Sequence, residues 1–370
     1  MNVKSKSNKQ FMILSAFAII FVVDAHAWSP LAFFTNFFPY NSFFMPLFVF
    51  VSGYFYREKN LEKPLHFLLN KAKSLLVPYY AILLFVLAAV EVLREIAPIG
   101  PKYGELDSLK DFFINPFYKA DLSSLLTPGW FVPALFCVLV IWVIVRCMLK
   151  RIWNDSIAAI AYCVIGTFCV YLSRKGWNET LWLPLIRTGF LLQFYQLGVL
   201  YCSKLEHRFR KIPAPVVWLV TLGINALLQY LSGNQIYFND INKMTGFLTD
   251  IYVLPLITSV TGIAFWLVVA DKLAPILGNN KLINYISNHT YAIMMFHIIW
   301  FNVYNFLISR IPAVARSFDF EKFYKTAWYR YEPVVQLRFF YVIAGLLGTL
   351  MMCWLAEKLY EKILKRQKER

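Results

Sequence analysis

Two histidines stand inside stretches that otherwise read as lipid-buried helix: His26 in FMILSAFAIIFVVDAHAW and His297 in YAIMMFHIIWFNVYNF. An ionisable group is costly in hydrocarbon, so each is a functional-site candidate by position alone. Neutral imidazole, with an ordinary pKa of about 6.5, can stay uncharged in an apolar cavity and still take a proton from a hydroxyl, which is the task of a general base in acyl transfer. A lone histidine there can equally be a hydrogen-bonded packing residue or one step of an ion path. The case for a site grows with the other polar residues placed in apolar sequence, among them Asp24, Glu91, Arg187, Gln196 and Asn302. Asp24 is the third catalytic candidate. It lies two residues before His26, so on a helix the two side chains point about 200° apart and do not pair directly. Asp24 is therefore expected to meet another helix, with Arg187 the natural partner for it or for Glu91.

Positioning these residues requires helices that cross a bilayer. The chain is 59% hydrophobic and 18% aromatic with 16% charged residues, whereas about a quarter of a soluble chain is charged. Apolar spans of roughly 20 residues fall at about 11–32, 41–56, 75–93, 130–147, 155–173, 181–202, 215–232, 251–271, 285–308 and 338–357. The expectation is an all-α, polytopic membrane protein of ten helices in a single domain over residues 1–370. The first span is too long for a cleaved signal peptide and lacks an A-x-A-like site. With the N-terminus inside, twenty-three lysines and arginines fall in cytoplasmic segments against thirteen outside. Both termini are then expected in the cytoplasm by the positive-inside rule. His26 lies about 22 Å along its helix and His297 about 18 Å along another running the same way, so the two can face a common cavity.

The formal charge of +16 is spread over loop ends, which fits attraction to anionic membrane lipid and argues against a nucleic-acid partner. Six cysteines show no CxxC or metal-ligand spacing, so no metal is expected. No G-x-S-x-G, Walker A, H-E-x-x-H or Rossmann fingerprint occurs. The long interruptions at about 94–129, 233–250 and 309–337 are assigned outside. Their mixture of aromatic and charged residues suits sugars, although tyrosine and tryptophan also form the ordinary interfacial belt. On the inner side, NLEKPLHFLLNKAKSLLVPYY reads as a short helix between Pro64 and Pro78, with Lys71 and Lys73 beside an apolar stripe. Such a segment lies in the interface, where its lysines either anchor to lipid headgroups or hold the phosphates of a cytosolic donor. DKLAPILGNNKLINYIS leads into the ninth helix in the same way.

Five strings in order resemble the bacterial membrane acyltransferase-3 family, in its fucose O-acetylase-like branch: FAIIFVVDAHAW, FFMPLFVFVSGYFYREK, KAKSLLVPYY, GWFVPALFCVLVI and ISNHTYAIMMFHIIW. The resemblance implies an enzyme of the bacterial cytoplasmic membrane. It would move an acyl group, usually acetyl, from cytosolic acyl-CoA to a hydroxyl of an extracytoplasmic carbohydrate or glycolipid. In that reading His26 is the base or acyl relay and His297 a supporting cavity residue. Ser52 and Gly53 let two helices and the pantetheine arm approach closely, unless they form only a small-residue helix contact. Lys71 and Lys73, with Arg57, receive the CoA phosphates. One departure stands out: many members carry arginine eleven residues before the first-helix histidine, where this chain has Ser15. Either another cation such as Arg187 or Lys73 does that work, or CoA is handled differently, or this branch is no longer an acyltransferase. The rival reading is a transporter or flippase for a glycan or lipid-linked substrate, with Asp24, Glu91 and Arg187 along its path.

Overall fold

In hydrocarbon no water is at hand to bond the backbone, and a long apolar run satisfies its own N–H and C=O groups as an α-helix. The computed structural model describes residues 3–28, 31, 42–105, 108–118, 123–233, 238–247, 250–334 and 337–368. Its helices are α1 (Val3–His26), α2 (Phe44–Tyr54), α3 (Pro64–Arg94), α4 (Leu109–Tyr118), α5 (Phe131–Met148), α6 (Asp155–Arg174), α7 (Trp182–Leu200) and α8 (Glu206–Phe209). There follow α9 (Ala214–Leu231), α10 (Leu254–Leu277), α11 (Lys281–Asn288), α12 (Thr290–Ile308), α13 (Pro312–Ala315), α14 (Phe320–Lys325) and α15 (Leu337–Lys368). Between α9 and α10 a small antiparallel pair, β1 (Phe238–Asp240) and β2 (Thr245–Phe247), sets Phe238 opposite Phe247. The protein is thus an all-α polytopic membrane protein.

Eight helices among the described residues are long and apolar enough to cross a bilayer: α1, α3, α5, α6, α9, α10, α12 and α15. The two remaining expected spans differ in kind. α2 has 11 residues, about 16 Å of rise, roughly half the hydrocarbon thickness. α7 has 19 residues but carries Arg187, Gln193 and Gln196, all buried. It is an interior helix, packed on α2, α5 and α6. The limits of the first two expected spans at 32 and 41, the side chains of Lys4 and Lys6, and Lys119 and Arg370 lie outside the described residues.

Two expected boundaries are corrected. The short interfacial helix ending at Pro78 and the span from 75 are one continuous helix, α3, of 31 residues with Pro78 inside it. Proline removes one backbone bond, but Tyr79, Leu83, Val86, Leu87 and Val90 are buried beyond it, and that packing holds the helix together. The span expected at 285–308 begins at Thr290. Ahead of it α10 runs on to Leu277, and the Asn280 side chain then caps α11 by accepting from the Ile283 N–H at 3.0 Å.

The crossing of α2 over α7 depends on two glycines. A Cβ at Gly53 would lie 2.0 Å from the Tyr195 carbonyl oxygen, and one at Gly198 2.1 Å from the Phe50 carbonyl oxygen. Gly53→Leu is therefore expected to cost at least about 1–3 kcal/mol of overpacking, read as a lowered thermal midpoint in detergent. An unchanged midpoint would mean the helices are not in backbone contact.

Candidate active site

α1 packs against α2, α10, α11, α12 and α15, which places its last turn inside the bundle. α1 and α12 run parallel: Ser15 and Thr290 line one cavity near the start of α12, and His26 meets His297 further along. Nδ1 of His26 lies 2.8 Å from Nε2 of His297, with the rings within 6° of parallel. The two histidines expected to share a cavity are directly hydrogen-bonded.

The direction of that bond follows from its neighbour. Nδ1 of His297 is 2.7 Å from the Ile293 carbonyl, which can only accept, so Nδ1 carries the hydrogen and Nε2 of the neutral ring is the acceptor. His26 must then donate from Nδ1. Its Nε2 keeps a lone pair and has no hydrogen-bond partner among the described residues. His297 is fully buried while His26 is partly exposed, the arrangement of a held inner ring and a presented outer one. Behind His297 the α15 backbone comes close at Gly345, where a Cβ would sit 2.6 Å from the Phe301 ring and 3.2 Å from His297 Cβ.

The segment after α14 covers His26 from the other side. α12 holds it by two side-chain amides: Asn302 Nδ2 donates to the Ala327 carbonyl and Asn305 Nδ2 to that of Tyr329, each at 2.9 Å. This lays the Trp328 ring edge-on against His26, with centroids 5.2 Å apart, and brings Arg330 Nε to 3.3 Å from the His26 carbonyl. Arg330 is 2% exposed. Sequence reasoning counted it as one more outer-loop cation, because charge in a polar loop gives no signal.

Two hollows follow one another along α1 and α12, and a third lies past the end of α1. The first, of about 340 Å³ near the chain's start, is lined by Ser15, Ser52, Tyr56, Lys71, Tyr195 and Thr290 among others. The second, about 160 Å³ and mainly apolar, shares Phe48 and Thr290 with it and adds Ile19, Leu75, Tyr291 and Met294. The third, about 390 Å³, lies beyond the histidines under Trp28, Trp328, Tyr329, Arg330, Asp319 and Lys322. Trp28 turns the chain just after α1 with a φ of 64°, a left-handed conformation that costs a bulky residue about 1–3 kcal/mol.

The other expected site residues separate. Ser52 and Lys71 line the first cavity, and so does Ser15 in place of an arginine. Gly53 serves the helix crossing instead. Lys73 and Arg57 are exposed and do not line that cavity. The expected pairing of Arg187 with Asp24 or Glu91 is not made. Arg187 donates to the backbone carbonyls of Asn242 at 2.9 Å and Phe117 at 2.8 Å, while Glu91 is exposed and pairs with Arg94. Backbone carbonyls can accept from a guanidinium in place of a carboxylate, which a search for opposite charges overlooks. Asp24 is fully buried and makes no hydrogen bond to either histidine. Its Oδ1 accepts from the Leu31 N–H at 2.9 Å, and its Oδ2 has no partner among the described residues.

Membrane-crossing helices around a hydrogen-bonded histidine pair define a polytopic membrane protein with a polar centre. The sequence model of the acyltransferase-3 family, an acyltransferase domain, matches residues 11–358, nearly the whole chain. The protein belongs to that family and is a membrane acyltransferase. No curated protein and no solved structure matches it.

Proposed function

We propose that this protein transfers an acyl group, acetyl in the first instance, from cytosolic acyl-CoA to a hydroxyl of an extracytoplasmic carbohydrate or glycolipid, in the bacterial cytoplasmic membrane. The observation that carries this reading is the series of hollows, with the His26–His297 pair between a lysine-bearing cavity and an aromatic, polar pocket. The excess of lysine and arginine at the face holding the first cavity supports placing that face, and both termini, in the cytoplasm.

Acyl-CoA would set its phosphates near Lys71 and pass its pantetheine arm along the apolar hollow. Ser15 and His26 are eleven residues apart on α1, about 16 Å, a length an extended arm can bridge. Trp28 and Trp328 offer flat apolar faces to a sugar, and Asp319 and Lys322 offer hydrogen bonds. Nε2 of His26 takes the acceptor hydroxyl's proton as its oxygen attacks the thioester carbonyl carbon. The tetrahedral intermediate collapses with cleavage of the C–S bond, and the proton passes to the departing thiolate, giving ester and free CoA. His297 holds His26 in the tautomer this requires.

Purified protein given acetyl-CoA and a mixed surface-glycan extract should release free CoA at a rate that rises with the extract. Absence of both turnover and acetyl-CoA binding would overturn the reading. Lys71→Ala should raise the KM for acetyl-CoA about tenfold, the worth of one charge-assisted contact, while Lys73→Ala leaves it unchanged. Equal effects of the two would return Lys71 to lipid anchoring.

A further inference from the structure

Arg330 is a buried cation with no carboxylate partner among the described residues. Burial pulls its guanidinium down to about 10, so it remains charged at neutral pH. What holds it is backbone and rings. Nη1 donates to the carbonyls of Ala327 at 2.9 Å and Tyr329 at 2.7 Å, and the guanidinium carbon lies 4.5 Å from the Phe301 ring centroid and 5.5 Å from that of Tyr341. Nε goes to the His26 carbonyl. The final carbonyls of a helix have no partner within it and form the negative end of its dipole. α1 ends at His26 itself, so the group that satisfies its terminal carbonyl also fixes where the imidazole stands.

We propose that Arg330 is a positioning residue for His26: by clasping the last carbonyl of α1 from the segment that walls the outer pocket, it sets the imidazole at the place where an acceptor hydroxyl arrives. This rests on His26 being the base. The cation is anchored to Ala327 and Tyr329, and Trp328 between them touches the His26 ring. The acceptor pocket and the base therefore share one support. Misplacing a reacting group by about 1 Å costs on the order of 10²-fold in rate, which is the size of effect expected.

The test is glycan-dependent CoA release from acetyl-CoA by wild type, Arg330→Ala, Arg330→Lys and His26→Gln, each checked for thermal midpoint. Arg330→Ala should lose about 100-fold in kcat with the KM for acetyl-CoA unchanged, and added guanidinium should restore part of that kcat. Arg330→Lys, which keeps the charge but reaches fewer carbonyls, should fall between. Wild-type kcat in both arginine variants, or a loss confined to KM, would overturn the proposal. Should Arg330→Ala fail to fold, the lysine variant decides alone: an intermediate kcat partly rescued by guanidinium supports the role, and a wild-type kcat overturns it. Full activity in His26→Gln would instead remove the base reading. An activity-independent arm uses site-resolved diethyl pyrocarbonate labelling with exposed His66 as reference. His26 should label severalfold faster in Arg330→Ala, and an unchanged rate would count against positioning whatever the acceptor is.

Discussion

His26→Ala is expected to lower the kcat of acyl transfer by about 10³-fold, the scale of a lost general base, with acetyl-CoA affinity intact. The argument is geometric. His26 keeps an Nε2 without a partner among the described residues, its other ring nitrogen is committed to His297, and Trp328 and Arg330 from the wall of the outer pocket contact the residue. The alanine variant also leaves buried Nε2 of His297 without its donor, at a cost of about 1–3 kcal/mol, so His26→Gln is the companion variant. An amide N–H can keep the bond to His297, but an amide cannot take the proton. Both variants should show that loss, and the glutamine form should keep the wild-type thermal midpoint. Transfer at the wild-type rate by either would show that the base lies elsewhere.

His297→Phe should cost up to about 10⁴-fold in kcat, the loss when a catalytic histidine is deprived of the partner that fixes its tautomer, again with KM for acetyl-CoA unchanged. Phenylalanine keeps a ring between Phe301 and the α15 backbone at Gly345, so packing changes little. It removes the acceptor that holds the hydrogen on Nδ1 of His26. The imidazole can then rotate, or place its hydrogen on Nε2, where it no longer accepts a proton. A loss that appears in KM rather than kcat would assign His297 to donor binding instead.

Fold class and the meeting of the two histidines were legible because both rest on the price of polarity in hydrocarbon. A histidine in FVVDAHAW or IMMFHIIW stands out against its surroundings, and spacing along α1 and α12 was enough to bring the two together. The helix lengths were less legible. An apolar string does not distinguish α2, 11 residues long, from a full span, and Pro78 reads as a stop where tertiary burial carries α3 through it. Lys71 and Lys73 looked equivalent two residues apart, yet helical geometry sends neighbours at that spacing to different sides, and Lys71 alone of the two lines the cavity. Arg330 was invisible for the opposite reason to the histidines: an arginine in YKTAWYRYEP looks solvated until Asn302 and Asn305 fold that segment onto α12.

The Ile293 carbonyl that fixes the tautomer of His297 has a consequence for the membrane itself. Two linked imidazoles within a membrane protein would ordinarily invite proton leakage, by one hydrogen entering at one end while another leaves at the far end. Here the far nitrogen, Nδ1 of His297, points its hydrogen at a carbonyl within its own helix, and that oxygen has no proton to pass on. A proton arriving at His26 can be stored by the pair but must depart the way it came. The hydrogen bond that fixes the tautomer of His297 thus also insulates the pair.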